Sequence, residues 1–139
     1  MPDKAFLDTN ILIYVYSVDE KEKQAKAREI IEMNRNVLLI SNQVINELCN
    51  TLFKKFSKSS AEVIDVLTEL SSALSITEFS LQTQIEAVRL MGLYSLQFYD
   101  ALIIATALEH GCRTLITEDM QNGLIVEGQL TINNPFMGL

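Results

Sequence analysis

Carboxylates recur in this chain at the points where short apolar runs end. Asp8 closes "KAFL", Lys4 to Leu7, while Glu118 and Asp119 follow "TLIT", Thr114 to Thr117. Glu47 lies one turn into "SNQVINELCNTLFKKF", the segment after "VLLI" at Val37 to Ile40, and Asp100 opens the apolar stretch "DALIIATALEH". Like charges gathered at one cleft repel and cost stability unless a cation or a proton neutralises them. At least one member of such a group should therefore titrate above its ordinary value. Hard oxygen donors of this kind suit Mg²⁺ or Mn²⁺, which keep several waters and take one or two carboxylates directly. A cation held that way can activate water and offset charge on a phosphoryl group under displacement. The chemistry open to these residues is metal-assisted phosphodiester hydrolysis.

Each acid also has a structural explanation when taken singly. Asp8 could cap a helix beginning near Asn10, and Asp119 could cap a turn before Met120. Asp100 reads as an N-cap, its carboxylate accepting from the first free N–H groups of its helix. Glu47 could be an ordinary solvated helix residue. Histidine chemistry offers little alternative. The single His110 stands in "EHGCR" beside Gly111, where it satisfies the last carbonyls of a helix and its dipole. No nucleophile is presented in a recognisable elbow to serve it. Acid–base work in this chain rests on carboxylates or is absent.

The elements that must position these acids alternate between short runs and longer periodic ones. Strands are expected at Lys4 to Leu7, Val37 to Ile40, Leu74 to Phe79, Thr114 to Thr117 and Leu130 to Asn133. A helix around Ile11 to Tyr16 precedes the charged helix "EKEKQAKAREIIEM", whose inner face is marked by Ala25, Ile30 and Ile31. Val44, Ile45, Leu48, Leu52 and Phe56 recur at helical spacing, with Ser41 or Asn42 as the cap. Helices over Ser60 to Ala73 and Leu81 to Tyr94 complete the pattern. Strands separated by helices imply an α/β fold, a five-stranded parallel sheet covered on both faces. Ligands in such folds bind beyond the carboxyl ends of the strands, near the topological switch point. Each acid named above sits where it could face that edge.

Composition is consistent with one globular domain spanning residues 1–139. The 139 residues are 48% hydrophobic and 21% charged, with no repeat, low-complexity tract or linker. No apolar run approaches the ~18 residues that span a bilayer, and "MPDKAFLDTN" lacks the layout of a secretory signal, so a cytoplasmic protein without a membrane partner is expected. Cys49 and Cys112 lack metal-ligand spacing and read as packing thiols. A net charge of −7 argues against non-specific nucleic-acid binding over the whole surface, but an acidic site can still meet phosphate through divalent cations.

The stretches "FLDTNILIY", "SNQVINEL" and "YDALIIATALEHGCRTLITEDMQNG" together resemble the PIN-domain ribonucleases, particularly the VapC-type toxins of toxin–antitoxin pairs. D-T-N alone would be a weak signal; followed by N-E-L, Y-D-A-L-I-I-A and T-E-D it is a specific one. The resemblance covers essentially the whole chain. It implies a PIN-like α/β/α sandwich, homodimers, a VapB-like antitoxin partner and Mg²⁺- or Mn²⁺-dependent endoribonuclease activity. Carried over position by position, Asp8, Glu47, Asp100 and Asp119 match the family's acidic quartet, as catalytic and metal-binding residues. Asn10 and Thr117 match its supporting polar positions, and Glu118 occupies a variable position between Thr117 and Asp119.

Lys54, Lys55 and Lys58 form a local basic patch that could steer RNA backbone, against the alternative of a solvated helix end. Other classes compete with the quartet. A non-toxin PIN nuclease of RNA processing shares every motif. A phospho-accepting receiver domain is also α/β with acids at strand ends, but it expects an early acidic pair and a Lys after its last strand; none follows "LTIN". A haloacid dehalogenase-type phosphatase expects D-x-D-x-T, and "DTNIL" lacks the second Asp.

Overall fold

A computed structural model of the chain describes residues 3–139. The strands are β1 (Ala5–Leu7), β2 (Leu38–Ser41), β3 (Ser75–Thr77), β4 (Thr114–Ile116), β5 (Ile125–Val126) and β6 (Leu130–Asn133). The helices are α1 (Thr9–Tyr16), α2 (Lys21–Met33), α3 (Asn42–Lys54), α4 (Ser60–Ala73), α5 (Leu81–Tyr94) and α6 (Phe98–Glu109). They form one sheet in the order β3-β2-β1-β4-β6-β5. The first five strands in that order are parallel, and β5 adds an antiparallel edge against β6. The five-stranded parallel sheet expected from the sequence is therefore present, with a sixth strand added. That strand is two residues long between Gly123 and Gly128, too short to leave a periodic signal.

From β1 the chain moves outward through β2 to β3, then returns across β1 to lay β4 on its other side. The crossing makes β1 and β4 the switch point, where crossovers diverge and leave an open crevice at the strand ends. Asp8 leaves β1 and Thr117 to Asp119 leave β4, so the fold alone places them side by side. The backbone ties that junction directly, since the Asp8 N–H donates to the Ile116 carbonyl at 3.0 Å.

The central strands β1 and β2 are buried at every position, as expected for strands covered on both faces. Helix α6 is buried at seven consecutive positions, Ala101 to Ala107, between the sheet and α5. A helix apolar all round is a core helix, and it gives the first turn of α6 a rigid base. Gly111, at φ 75°, ends it in the left-handed conformation that glycine adopts without strain. The His110 ring Nδ1 lies 2.9 Å from the Thr106 carbonyl, as its place at the helix end implies. On α2 the inner face is set by Ala27 and Ile30, while Ala25 is exposed. Ile30 and Ile31 meet the core as expected, and only Ala25 was misassigned, because the run of charges around it hides which alanine turns inward. Among the described residues no single helix is long and apolar enough to cross a membrane.

Ile104 is fully buried near the middle of α6. Ile104→Ala should destabilise the protein by about 2–5 kcal/mol, through lost transfer energy and the cavity left behind. Urea unfolding followed by far-UV circular dichroism measures this; a loss below 1 kcal/mol would show that α6 is not the rigid support described.

Candidate active site

The tripeptide Asp8-Thr9-Asn10 organises the carboxyl edge of the sheet. Asp8 is the N-cap of α1, its Oδ1 accepting from the Thr9 N–H at 2.7 Å. Its Oδ2 accepts from the Thr117 hydroxyl at 2.8 Å and from the Asn10 amide at 3.4 Å. Capping and site membership are thus not alternatives for Asp8, because its two oxygens serve different partners. Thr9, which the sequence reading passed over, donates its hydroxyl to Glu47 Oε2 at 2.8 Å. Asn10 Nδ2 reaches Asp119 Oδ2 at 3.0 Å and Thr117 Oγ1 at 3.3 Å. Thr117 Oγ1 also accepts from the Asp119 N–H at 3.1 Å. Three consecutive residues therefore hold acids from α3 and from the loop after β4.

Glu47 is oriented from its other side by a second residue absent from the sequence reading. Gln43, one turn earlier on α3, donates to Glu47 Oε1 at 2.9 Å and to the Tyr99 carbonyl at 3.3 Å. The amide nitrogen is committed to two acceptors, which fixes the orientation of the group. Its Oε1 is left buried without a partner, an arrangement that costs stability. A glutamine at i−4 from a glutamate is the one local signal that could have identified it.

Asp100 departs from the expected cap. Helix α6 starts at Phe98 with Gln97 as its N-cap, so Asp100 lies within the first turn. The half-buried Phe98 packs against the core and draws the helix start two residues earlier than the acid. Placement in the first turn still favours a carboxylate through the helix dipole.

The electrostatics follow from burial and from the absence of cations. Burial pushes Asp8 up from 3.8 to about 6, reinforced by the charges of Glu47 and Asp100 and opposed by its bonds from Thr117 and Thr9. Asp100 is also raised, first by burial and then by the charges of Asp119 and Glu47. Repulsion among the acids was expected to lead; desolvation is the larger cause for both. Among the described residues no lysine or arginine pairs with any of the four acids. Lys23 is turned instead to Glu118, at 2.5 Å, and Glu118 also accepts from the Tyr14 hydroxyl at 2.5 Å. Glu118 is therefore neutralised outside the cluster. Lys54 and Lys55 are exposed at the far end of α3, about 10 Å along the helix axis beyond Glu47, and Lys58 pairs with Glu62 at 3.9 Å. The structure does not bring these lysines to the acids.

The donor set fits a hard divalent cation. It consists of carboxylates in mutual repulsion and without a protein countercharge, beside an unpartnered amide oxygen. Among the described residues, no three acidic, His or Cys side chains stand close enough together to hold a metal ion between them. An open array suits Mg²⁺ or Mn²⁺, which retain waters and need only one or two direct carboxylates.

A family model, the PIN domain, matches residues 5–121. No curated protein matches the chain in sequence. Solved structures similar to it include a toxin–antitoxin complex from Klebsiella pneumoniae, with 26% identity over 96% of this chain and 98% of that one, at a TM-score of 0.73. DNA-bound VapBC from Salmonella typhimurium shares 22% identity over 94% and 98% of the two chains, at a TM-score of 0.68. VapC20 of Mycobacterium tuberculosis, a sarcin–ricin-loop-cleaving toxin, shares 17% over 81% and 87%, also at 0.68.

A sign follows for stability without metal. Asp8 binds its proton more tightly folded than unfolded, so its contribution is fully present below the unfolded value and is lost as pH rises through about 6. The loss by neutral pH is roughly 3 kcal/mol. In chelator the melting temperature should fall between pH 5 and pH 7.5. No hydrogen bond contributes to the shift of the Asp100 carboxylate, so Asp100→Asn removes repulsion without removing a partner. The variant should melt a few degrees above wild type at pH 7.5 in chelator and gain less from Mn²⁺. A lower melting point with an undiminished gain from Mn²⁺ would overturn this account.

Proposed function

The chain belongs to the PIN domain family, and from that premise we propose that it is a metal-dependent endoribonuclease, the toxin of a VapBC-type toxin–antitoxin pair. The observation that supports the reading most is that Asp8, Glu47, Asp100 and Asp119 lie near enough to repel one another, with no lysine or arginine pairing with them among the described residues. Family membership removes the receiver-domain and phosphatase alternatives. The likeness to toxin–antitoxin structures favours a toxin over a nuclease of RNA processing.

Asp8, Glu47, Asp100 and Asp119 would hold Mg²⁺ or Mn²⁺. A cation bound there supplies positive charge against the scissile phosphoryl group and acidifies water. The protein's own residues supply orientation. Thr9 and Gln43 grip opposite oxygens of Glu47, and Asn10 with Thr117 holds Asp119 against Asp8. Carboxylates fixed this way require little rearrangement when the phosphate arrives. Lys54, Lys55 and Lys58, at the C-terminal end of α3 and in the loop after it, would meet RNA backbone beyond the scissile group.

Partners follow the same reading: RNA, a VapB-like antitoxin and a second copy of the chain, all in the cytoplasm. Self-association is supported by Leu81, Ile85 and Val88, which are exposed along one face of α5.

Labelled RNA should be cut with Mn²⁺ or Mg²⁺ and left intact in chelator. Glu47→Gln should lower the rate at least a hundredfold with an unchanged far-UV spectrum. Expression of wild type alone should arrest growth, and Asp8→Ala should relieve it at equal protein level. Cleavage that survives chelation, or an unimpaired Glu47→Gln, would overturn the assignment. Cleavage in vitro without growth arrest would identify a processing nuclease.

A further inference from the structure

The Glu47 end of the acidic row opens into a hollow of about 690 Å³ between α3, α5 and α6, within the size range of small-ligand sites. The row's other end, at Asp100 and Asp119, opens into a second of about 420 Å³. The larger hollow has an unusual lining. Gln43, Asn46, Glu47 and Asn50 form one face of α3 at positions i, i+3, i+4 and i+7, opposite the core face of Val44, Leu48 and Leu52. Gln84 adds an amide from α5, and Phe98 and Tyr99 add rings from α6. Glu47 is the only charged side chain among the described residues lining it.

Resting on the endoribonuclease reading, we propose that this hollow is a nucleobase subsite, taking one unpaired base next to the scissile phosphate. Three observations converge on that occupant. A lining with no lysine or arginine does not suit a phosphate, whereas the amides of Asn46, Asn50 and Gln84 offer the donors and acceptors that match a base edge. Tyr99 is 67% exposed, an aromatic ring for which folding has no use, and Phe98 braces it edge-on at 5.6 Å. A braced, exposed ring is a stacking platform, open to any base face. Glu47 belongs both to the hollow and to the acidic row, so an occupant here is one residue away from the reacting phosphate. Tyr99 is further tied to the site because its carbonyl accepts from Gln43, the residue that orients Glu47. Stacking at Tyr99 supplies affinity, and Asn46, Asn50 and Gln84 supply the choice of base.

The test compares wild type, Tyr99→Ala, Tyr99→Phe and the double variant Asn46→Ala/Asn50→Ala on single-stranded RNA with Mn²⁺. It also uses matched RNA carrying an abasic residue at each position flanking the cut. For Tyr99→Ala, KM should rise about tenfold or more, in line with the loss of a base stack, while kcat stays within about twofold. Tyr99→Phe should restore KM. The double variant should cut at sites wild type ignores. One abasic position should cost wild type the same factor that Tyr99→Ala loses, and that variant should be indifferent to it. Unchanged KM and cleavage pattern in both variants would overturn the subsite and leave the hollow as a seat for a polypeptide. If wild type cuts no RNA at all, the nuclease reading falls and the subsite with it. Intact cleavage with indifferent variants removes the subsite alone.

Discussion

Asp8 is buried with no lysine or arginine beside it among the described residues, and the carboxyl edge of the sheet is arranged around that single cost. A lone buried carboxylate would sooner protonate than stay charged. Here an N–H from Thr9, a hydroxyl from Thr117 and an amide from Asn10 offset part of the desolvation. Each of those three residues then has further bonding capacity, and each spends it on another part of the site. Thr9 takes Glu47, Asn10 takes Asp119, and Thr117 takes the Asp119 backbone. Stabilising one acid therefore positions two more.

The distribution of positive charge has the same logic. Lys23 reaches the T-E-D segment but takes its middle residue, Glu118, and not Asp119, with its ammonium over the rings of Tyr14 and Phe136. Arg89, in the middle of α5, is occupied by Glu86 and Glu127. A lysine reaching the quartet would stabilise the empty protein and compete with a divalent cation for the same oxygens. Asp8 and Asp100 instead stay raised in pKa, and the orphaned oxygen of Gln43 adds to the strain. Local instability of this kind is expected where a site is built for a charge the chain itself does not supply.

Much of the fold was legible in the sequence because its signals are local. The strand at Leu130–Asn133 and the helices at Ser60–Ala73 and Leu81–Tyr94 stand where apolar spacing and serine caps place them. Asp8 and Asp119 were legible because each comes at the end of a short strand-like run, Asp100 because it opens an apolar stretch, and Glu47 through the N-E-L motif. Their support was not. Thr9 and Glu47 are 38 positions apart, and Asn10 and Asp119 are 109 apart, so no window along the chain contains either pair. The start of α6 was misplaced for a related reason. A capping acid is a strong local cue, yet the burial of Phe98 by tertiary packing outweighed it. The amide face of α3 escaped notice because its polar residues look like the solvated side of any amphipathic helix.

Thr117, Glu118 and Asp119 leave β4 with alternate side chains committed to opposite surroundings, the outer two to the acidic row and the middle one to Lys23 and Tyr14. Alternation of period two makes such a segment sensitive to length rather than to identity. Replacing Glu118 disturbs only its contacts with Lys23 and Tyr14, outside the acidic cluster. Deleting one residue between Ile116 and Asp119 would carry Asp119 toward the lysine and leave the Asn10 amide facing whatever follows. Sequence drift at position 118 is thus tolerable in a lineage of this chain, whereas insertions and deletions across the same three residues are not.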